Sequence, residues 1–364
     1  MKLLVEAPLN SLSLGNVAVN ILKELKNKNV EVGLFPVGNV DIQAYDLSKD
    51  FTDFLQQSID NRYKFLKKEI PSFRLWHLNG SENRKTSQQH LFTFYECNQP
   101  TDTELALAKL QDTVFFSSRY SQEQFTTKGC DNCYYVPLGF DKTFFNTQKK
   151  YLNDVIHFGL MGKFEKRKHT GRIIQAWAKK YGNNNKYQLT CCVTNPFFKP
   201  EDMQAVIQGV LEGKRYTNIN FLPYLQKNSE VNELLNAIDI DLTGLSGGEG
   251  WNLPAFNATC LGKWSVVLNA TSHKDWATAE NSILIEPEGE FECYDQVFFQ
   301  KGAEFNQGTF YGWSEESAIA AMELAETKVG QINTLGQKLG DNMSYSNTVD
   351  AILSSIYKGN SFAQ

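Results

Sequence analysis

Short runs of branched apolar residues alternate along this chain with segments whose apolar residues recur every three to four positions. The first run, residues 2–7, predicts a strand, and the helix predicted after it carries Val17, Ile21 and Leu25 on one face. Residues 30–37 predict the next strand. Because two strands joined by a helix form a parallel βαβ unit, the pattern predicts an α/β fold.

A polar segment at residues 146–154 interrupts the alternation, which restarts with the apolar run 155–162. A chain of 364 residues also exceeds the usual size of a single hydrophobic core. We therefore predict an N-terminal domain over residues 1–147 and a C-terminal domain over 148–335. The remaining residues, 336–364, predict a C-terminal helix that packs back towards the N-terminal domain.

Composition excludes several classes of function but says little about the fold. The net charge of −5 argues against a protein that wraps nucleic acid nonspecifically, since such proteins are basic. No apolar run approaches the ~18 residues of a membrane span, and the N-terminus lacks the apolar region of a signal peptide. Seven cysteines without a secretory signal favour reduced thiols. We therefore expect a cytoplasmic protein, and peripheral association with a membrane stays open.

Two pairs of residues have the spacing of metal ligands. Cys130 and Cys133 match one half of a zinc site, but no second half follows. Asp239 and Asp241 match the Asp-x-Asp pattern that holds a divalent cation, although they fall within a predicted buried strand. We predict no metal site and keep Asp239 and Asp241 as the alternative.

A glycine-rich turn at residues 246–257 follows that strand and leads into a predicted helix. Glycines let a backbone approach a ligand closely, and the unpaired N–H groups of a helix N-terminus favour a phosphate. Glu249 would repel a phosphate, so it must face another part of the ligand, such as hydroxyls. A nucleoside-diphosphate sugar has both parts. The alternative is a surface turn before an amphipathic helix.

Further candidate residues stand at the ends of other predicted strands. The turn 162–169 carries four cations and follows the strand 155–162, although such a charge cluster is often only a solvated surface. His77 and Glu96 end the predicted strands 72–78 and 90–96, where open α/β sheets place their ligands. The alternatives are a core histidine for His77 and a carboxylate at a helix start for Glu96.

Together these segments resemble the retaining glycosyltransferases of family 4. The resemblance covers nearly the whole chain and rests on Gly15-Asn16 and residues 94–98, 115–121, 136–141, 162–168 and 246–257. It implies the GT-B fold, in which two Rossmann-like domains face each other across a deep cleft.

The resemblance also implies roles for individual residues. The catalytic candidates are Glu249, Lys168, Lys163 and His77. The candidates for donor binding are Gly15, Asn16, Glu96, Arg167, Gly248, Gly250, Trp251, Asn252, Leu253 and Asn257. Two positions depart from the family pattern: Asn257 stands where a glutamate usually contacts the nucleotide ribose, and Lys163 stands where arginine is usual. A lysine keeps the charge but loses the bidentate fork of arginine.

The implied activity is metal-independent transfer of a sugar, with retention of configuration, from a nucleoside-diphosphate sugar to a hydroxyl acceptor. The donor nucleotide would be UDP or GDP, and no cofactor is expected. The acceptor is open among a glycan, a lipid-linked sugar, a small molecule, a protein and a modified nucleic acid, as is the oligomeric state. The alternatives are a nucleotide-sugar epimerase or a sugar-phosphate-releasing enzyme on the same fold, and a non-catalytic nucleotide- or carbohydrate-binding protein.

Overall fold

Two six-stranded sheets, all of whose strands pair in parallel, form the framework of the computed structural model, which describes residues 1–147, 149 and 151–358. The chain divides into two compact units. Unit 1 holds Met1–Asp141, Gly302–Gln307 and the described residues from Met343 onward. Unit 2 holds the described residues of Lys142–Lys301 together with Gly308–Asn342.

The strands follow one another at the intervals that the apolar runs predict. They are β1 (Lys2–Ala7), β2 (Glu31–Pro36), β3 (Ser72–Leu75), β4 (Gln89–Thr93), β5 (Thr113–Phe116), β6 (Cys133–Tyr135), β7 (Ile156–Met161), β8 (Tyr187–Cys192), β9 (Ile219–Phe221), β10 (Ile240–Asp241), β11 (Trp264–Leu268), β12 (Ile283–Ile285), β13 (Glu290–Glu292) and β14 (Thr309–Tyr311). Strands β13 and β14 pair antiparallel as a separate two-stranded sheet.

Helices connect most of these strands. They are α1 (Ser13–Asn27), α2 (Lys49–Asp60), α3 (Asp102–Leu110), α4 (Arg119–Thr126), α5 (Thr170–Tyr181), α6 (Pro200–Val210), α7 (Asn228–Ala237), α8 (Leu253–Cys260), α9 (Glu315–Glu326), α10 (Thr334–Asn342) and α11 (Tyr345–Lys358). None of the helices among the described residues is long and apolar enough to cross a membrane.

The order of the strands reverses at one place in each sheet. In unit 1 the order is β2-β1-β3-β4-β5-β6, so the reversal lies between β1 and β3. In unit 2 the order is β12-β11-β10-β7-β8-β9, so it lies between β7 and β10. Ligands of open α/β sheets bind beyond the carboxyl ends of the strands at such switch points. The loops that follow these four strands are therefore the first places to look for a site.

An aromatic core holds β7 in place below its switch point. Phe158 of β7 and Trp177 of α5 are fully buried and meet edge to face, with ring centroids 6.1 Å apart. Tyr181 of α5 packs on both rings, at 5.3 and 5.5 Å. Burying such large rings on one face of the sheet stabilises the register of β7 and α5, and it fixes the turn between them.

Several predicted boundaries are wrong at the ends of elements. The polar residues 8–16 predict a loop before the first helix, but α1 begins at Ser13, so Gly15 and Asn16 lie in its first turn. Strands β3 and β4 end at Leu75 and Thr93, so His77 and Glu96 lie in the loops that follow. Apolar runs overestimate strand length because loop residues next to a sheet are also buried.

The division between the units falls after Asp141, a few residues before the predicted boundary at 147. The backbone N–H groups of Phe145 and Thr147 donate to Asn232 and Asn236 of α7, which ties this segment to unit 2. Positions 148 and 150 of the predicted linker lie outside the described residues. Helix α11 belongs to unit 1, where Lys28, the residue after α1, pairs with Asp350 at 2.9 Å.

Candidate functional site

Two turns meet at the switch point of unit 2. The first, residues 162–169, follows β7, and the second, residues 246–252, follows β10 and a short 3-10 turn. The carbonyl of Arg167 accepts from the backbone N–H of Gly247 at 2.7 Å and from the hydroxyl of Ser246 at 3.2 Å. A Cβ on Gly247 would lie 2.2 Å from the carbonyl oxygen of Tyr311 and 2.6 Å from Nε2 of His169, so only glycine fits there.

Five charged side chains from these turns form one network, alternating in sign. Glu249 accepts from Nζ of Lys168 at 2.6 Å and from a terminal guanidinium nitrogen of Arg167 at 2.9 Å. Glu165 pairs with Nζ of Lys163 and with Nε of Arg167, each at 2.8 Å. We call Lys163, Glu165, Arg167, Lys168 and Glu249 the charge network. With three cations and two carboxylates, it carries a net positive charge at a place where a ligand is expected.

Both carboxylates of the charge network are held in the ionised state. Burial by itself would raise the pKa of Glu249, but Lys168 and Arg167 outweigh burial and hold that pKa well below its usual range. Burial opposes Arg167, Lys168 and Lys163 in the same way at Glu165, and the net effect again lowers its pKa. The charges therefore persist across the neutral pH range.

The three cations of the network differ in their exposure and in the number of partners that they bind. Arg167 is 11% exposed; besides bonding Glu165 and Glu249, it donates to the carbonyl of Gly248 at 2.8 Å. Its guanidinium therefore links the two turns. Lys163 is more open, at 34% exposure, and its ammonium lies 5.4 and 5.0 Å from the ring centroids of Phe197 and Phe298.

The start of α8 is held by a side-chain network beneath the glycine turn. Asn252 adopts a left-handed conformation, with φ of 69°, and caps the helix by accepting from the N–H of Ala255. Its amide nitrogen donates to the carbonyl of Thr243 at 3.0 Å and to Nε2 of His273 at 2.9 Å. These bonds fix the direction in which the N-terminus of α8 points.

His273 is itself fixed in one protonation state. Burial lowers its pKa to about 4, so the ring is neutral. Because Nδ1 lies 2.8 Å from the carbonyl oxygen of Leu268, which can only accept, the ring proton is assigned to Nδ1. Nε2 is then unprotonated and accepts from the amide of Asn252, so one neutral tautomer satisfies both hydrogen bonds.

Thr271 supports Glu249 from the loop that follows β11. Its hydroxyl accepts from the backbone N–H of Glu249 at 3.3 Å. Its φ of 50° is unusual for a β-branched residue and stores strain, a feature that concentrates at functional sites.

The other residues of unit 2 that are predicted to bind the donor lie in the glycine-rich turn or in α8. Gly248 and Gly250 are buried within it, and Leu253 is half-buried at the start of α8. The Trp251 ring lies in the core, where it packs edge-on against Phe256 at 5.2 Å, so only its backbone borders the turn. Asn257 is 6% exposed, and its Oδ1 accepts no hydrogen bond from any described residue. A buried acceptor of this kind is suited to a ligand hydroxyl.

The predicted residues of unit 1 form a separate group at the carboxyl edge of their own sheet. Gly15 is required at its position, because a Cβ there would lie 2.0 Å from the carbonyl oxygen of Asn10. The amide of Asn16 donates to the carbonyls of Ser11 and Leu12, which shapes the loop after β1. His77 is exposed beside Trp76, and Glu96 is half-buried.

Sequence reasoning missed three residues that organise the site: Glu165, Thr271 and His273. Glu165 carried a signal, since a carboxylate within a run of cations can pair with them. His273 carried none, because it stands 21 positions after Asn252 and no local pattern links the two.

The alternative metal ligands point to different partners. Asp239 accepts from the backbone N–H of His157 at 2.9 Å, whereas Asp241 is fully buried and accepts from the N–H of Thr243 at 3.2 Å. Burial raises the pKa of Asp241 to about 6. Over the part of the chain that the structure describes, no three His, Cys, Asp or Glu side chains come together as metal ligands would.

Comparisons with known proteins give a clear result only at the level of structure. No protein-family model matches the sequence, and no curated protein matches it either. Among solved structures, the chain is similar to a sucrose-phosphate synthase from Thermosynechococcus elongatus, with a TM-score of 0.67 at 12% identity over 98% of both chains.

Two other solved structures match over similar lengths. HepE from Anabaena, in complex with UDP and glucose, has a TM-score of 0.67 at 13% identity, covering 98% of this chain and 100% of its own. The catalytic domain of starch synthase IV from Arabidopsis thaliana, bound to ADP and acarbose, has a TM-score of 0.65 at 10% identity over 98% and 99%. The likeness runs along the whole chain and confirms the predicted fold class: this chain has the GT-B fold of these glycosyltransferases.

Proposed function

We propose that this protein is a glycosyltransferase that transfers a sugar from a nucleoside-diphosphate sugar to a hydroxyl acceptor, with retention and without a metal ion. The observation that carries the proposal is the charge network, placed at the switch point of unit 2 beside the N-terminus of α8. The GT-B fold by itself is only an analogy for function, so the argument depends on the site.

The first step of the argument concerns the diphosphate. Lys163 and Lys168 supply positive charge, and the N-terminus of α8, with the backbone amides of Gly250, Trp251 and Asn252, supplies N–H groups and a favourable dipole. When the bond between sugar and phosphate breaks, negative charge develops on the departing diphosphate. Positioned cations in a site of low water content stabilise that charge most, and removing one such group typically lowers the rate by about 10²–10³-fold. These groups can perform the task that a metal ion performs in other transferases.

The second step concerns Glu249. Each of its carboxylate oxygens accepts from one cation, and an ionised carboxylate has about four acceptor positions, so capacity remains for sugar hydroxyls. Glu249 thus holds Lys168 and Arg167 in place and is left able to bind the sugar. This dual role explains how a carboxylate is compatible with a phosphate site.

The third step concerns the nucleoside. Asn257 presents a buried, unpartnered Oδ1 one turn into α8, which can accept from a ribose hydroxyl. As a neutral amide it binds such a hydroxyl more weakly than a carboxylate would. UDP and GDP are the donors we propose to test first, and HepE, which shares the fold, was crystallised with UDP and glucose. His77 and Glu96 of unit 1 are proposed to serve the acceptor or the sugar.

The proposal is tested by measuring binding of UDP, GDP and ADP by calorimetry, with inorganic pyrophosphate as the phosphate-only probe. We expect at least one nucleoside diphosphate to bind, and to raise the melting temperature in proportion to its affinity. Asn257→Ala should weaken the nucleoside diphosphate about five- to tenfold, the value of one hydrogen bond, and leave pyrophosphate unchanged. If neither a nucleoside diphosphate nor pyrophosphate binds the wild-type protein, the proposed function is wrong.

Activity is tested separately with the matching nucleotide sugar. Proton NMR of the released or transferred sugar should show the anomeric configuration of the donor, and a chelator should leave the rate unchanged. Inversion would exclude the retaining mechanism, and loss of rate in chelator would favour Asp239 and Asp241 as metal ligands. Binding without any turnover would support a non-catalytic binding protein.

A further inference from the structure

A short basic segment of unit 1 lies apart from the residues considered so far. Residues 62–68, Arg-Tyr-Lys-Phe-Leu-Lys-Lys, join α2 to the stretch before β3, and we call them the basic loop. The loop holds four cations and no carboxylate. Tyr63 is 65% exposed and Leu66 is 42% exposed, so apolar surface is presented among the charges.

The basic loop is anchored by its central residue. Phe65 is buried and packs with Leu4 and Ile70. Its ring lies on Gly33 of β2, where a Cβ would come within 2.5 Å of Cγ of Phe65, so glycine makes the slot that receives the ring. Because Phe65 points inwards, its neighbours on both sides are directed outwards. The loop therefore presents its cations from a fixed position.

The charges of the basic loop are uncompensated. Among the described residues, no carboxylate lies within ion-pair distance of Arg62, Lys64, Lys67 or Lys68. The nitrogens of Arg62 and Lys64 instead donate to Ile59 and Asn61 of the same chain segment. The guanidinium of Arg62 is stacked 4.6 Å from the centroid of Tyr63.

The cations in the segments next to the basic loop are paired with carboxylates, so the excess of positive charge lies in the loop itself. Lys85, from the adjacent loop, lies 5.4 Å from the ring of Phe35 and pairs with the buried Glu6. Residues 60–69 carry the four cations of the basic loop against two acids, Asp60 and Glu69. Further along, Arg74 pairs with Glu6 and Arg84 pairs with Asp112. In a chain with a net charge of −5, this segment is a clear exception. It favours an anionic partner.

We propose that the basic loop docks unit 1 onto the surface of a lipid bilayer that contains anionic lipids. Clustered lysines and arginines are attracted to acidic headgroups, while tyrosine and leucine side chains enter the boundary between headgroups and acyl chains. A soluble polyanion would account for the cations but would not account for the exposed apolar surface of Tyr63 and Leu66. The proposal does not depend on the chemistry of the site in unit 2.

The test is co-sedimentation of the full chain with vesicles of phosphatidylcholine alone and of phosphatidylcholine with about one-third phosphatidylglycerol. We expect binding only to the anionic vesicles and weaker binding when salt is raised, because salt screens exposed charges. The triple variant Lys64→Gln, Lys67→Gln, Lys68→Gln should bind on the order of a hundredfold more weakly, at about fivefold for each cation.

The matched control replaces three other exposed lysines, Lys128, Lys186 and Lys338, with glutamine. It changes the net charge by the same amount and should bind like the wild type. A double variant, Tyr63→Ser with Leu66→Ser, should lose the binding that remains at high salt. Circular dichroism melting of each variant separates lost docking from lost folding.

Three outcomes would overturn the proposal. Equal binding to vesicles of both compositions would exclude recognition of anionic lipid. Equal losses in the two triple variants would mean that only overall charge matters. Binding to heparin through the same lysines, without any binding to vesicles, would identify the basic loop as a site for a soluble polyanion.

Discussion

The two switch points of the molecule are alike in topology and different in chemistry. In unit 2, the turns after β7 and β10 are joined by five alternating charges, and the side chains of Arg167, Lys168 and Glu249 are at most 13% exposed. In unit 1, the loops after β1 and β3 are shaped by the amide of Asn16 and lead to an exposed His77. In unit 2 the buried ion pairs join the two turns to each other, whereas in unit 1 the buried pair of Glu6 and Arg74 lies within β1 and β3, and the loop after β3 opens to solvent at His77.

This difference indicates different tasks. A buried charge network costs desolvation energy and is tolerated when each charge has a partner. Such an arrangement is preorganised for one fixed feature, which we propose is the diphosphate of a donor. Exposed loop residues such as His77 can vary without loss of the fold, which suits the recognition of an acceptor. Four predictions test this contrast, beginning with the largest expected effect.

Substituting Glu249 should have the largest effect. Glu249→Gln leaves the buried Lys168 without its carboxylate and leaves Arg167 with Glu165 alone, so we expect a loss of stability of about 3–5 kcal/mol. Sugar transfer should fall by about 10²–10³-fold. A bound nucleoside diphosphate would supply the missing negative charge, so the rise in melting temperature on adding it should be larger than in the wild type.

Glu292→Gln is the control, because Glu292 is exposed and its carboxylate pairs, among the described residues, with no cation other than the exposed Lys301. It should melt like the wild type. Equal stability of Glu249→Gln and wild type would contradict the view that the charge network holds the turns together.

The buried His273 should make stability depend on pH. Its pKa is about 4 in the folded protein and near 6.5 in the unfolded chain, so the unfolded state binds more protons between these values. Stability should therefore fall as pH drops from about 6.5 towards 4. Between pH 7 and pH 5 this one group accounts for about 2 kcal/mol.

Urea unfolding at the two pH values measures this contribution. His273→Gln has no titrating ring, and it should lose about 2 kcal/mol less than the wild type between pH 7 and pH 5. If both proteins lose the same amount, His273 is not the source of the dependence.

The cations of the network should differ in their value for ligand binding. Lys168→Gln removes a buried ammonium beside Glu249, and we expect pyrophosphate and nucleoside diphosphates to bind about 10–100-fold more weakly, the value of one charge-assisted hydrogen bond. Lys163→Gln should cost less, because that ammonium is more exposed and already engaged by Glu165 and two aromatic rings.

Lys166→Gln is the matched control, since the ammonium of Lys166 donates to the carbonyls of Glu292 and Tyr294 and not to the network. Isothermal titration of the three variants gives the ranking. A stronger effect at Lys163 than at Lys168 would reverse our assignment of the principal phosphate contact.

The smallest effects are expected at the open edge of unit 1. His77→Ala and Glu96→Ala should change stability by less than about 0.5 kcal/mol, as is usual for side chains outside a core. Binding of nucleoside diphosphates should be unchanged, while transfer to an acceptor falls about 10–100-fold. A loss of nucleotide binding in either variant would assign it to the donor and not to the acceptor.

The sequence by itself determined the fold class and singled out the two turns that we propose as the main site. The alternation of short apolar runs with helical periodicity is local, so it is visible in the chain and predicts strands, helices and the division into two α/β halves. The turns 162–169 and 246–257 could be singled out because glycines and cations follow buried strands. The resemblance to family 4 glycosyltransferases then implied the GT-B fold, which the structure confirms.

Only the tertiary structure decided how the residues of these turns are paired. Four cations stand within residues 163–168. The sequence does not indicate that Arg167 links the two turns while Lys168 forms an ion pair with Glu249. The strand order brings β7 beside β10, and therefore sets Lys168 within 2.6 Å of a carboxylate 81 positions away. His273 reaches Asn252 in the same way. Such pairings depend on distances across the sheet, which no local pattern records.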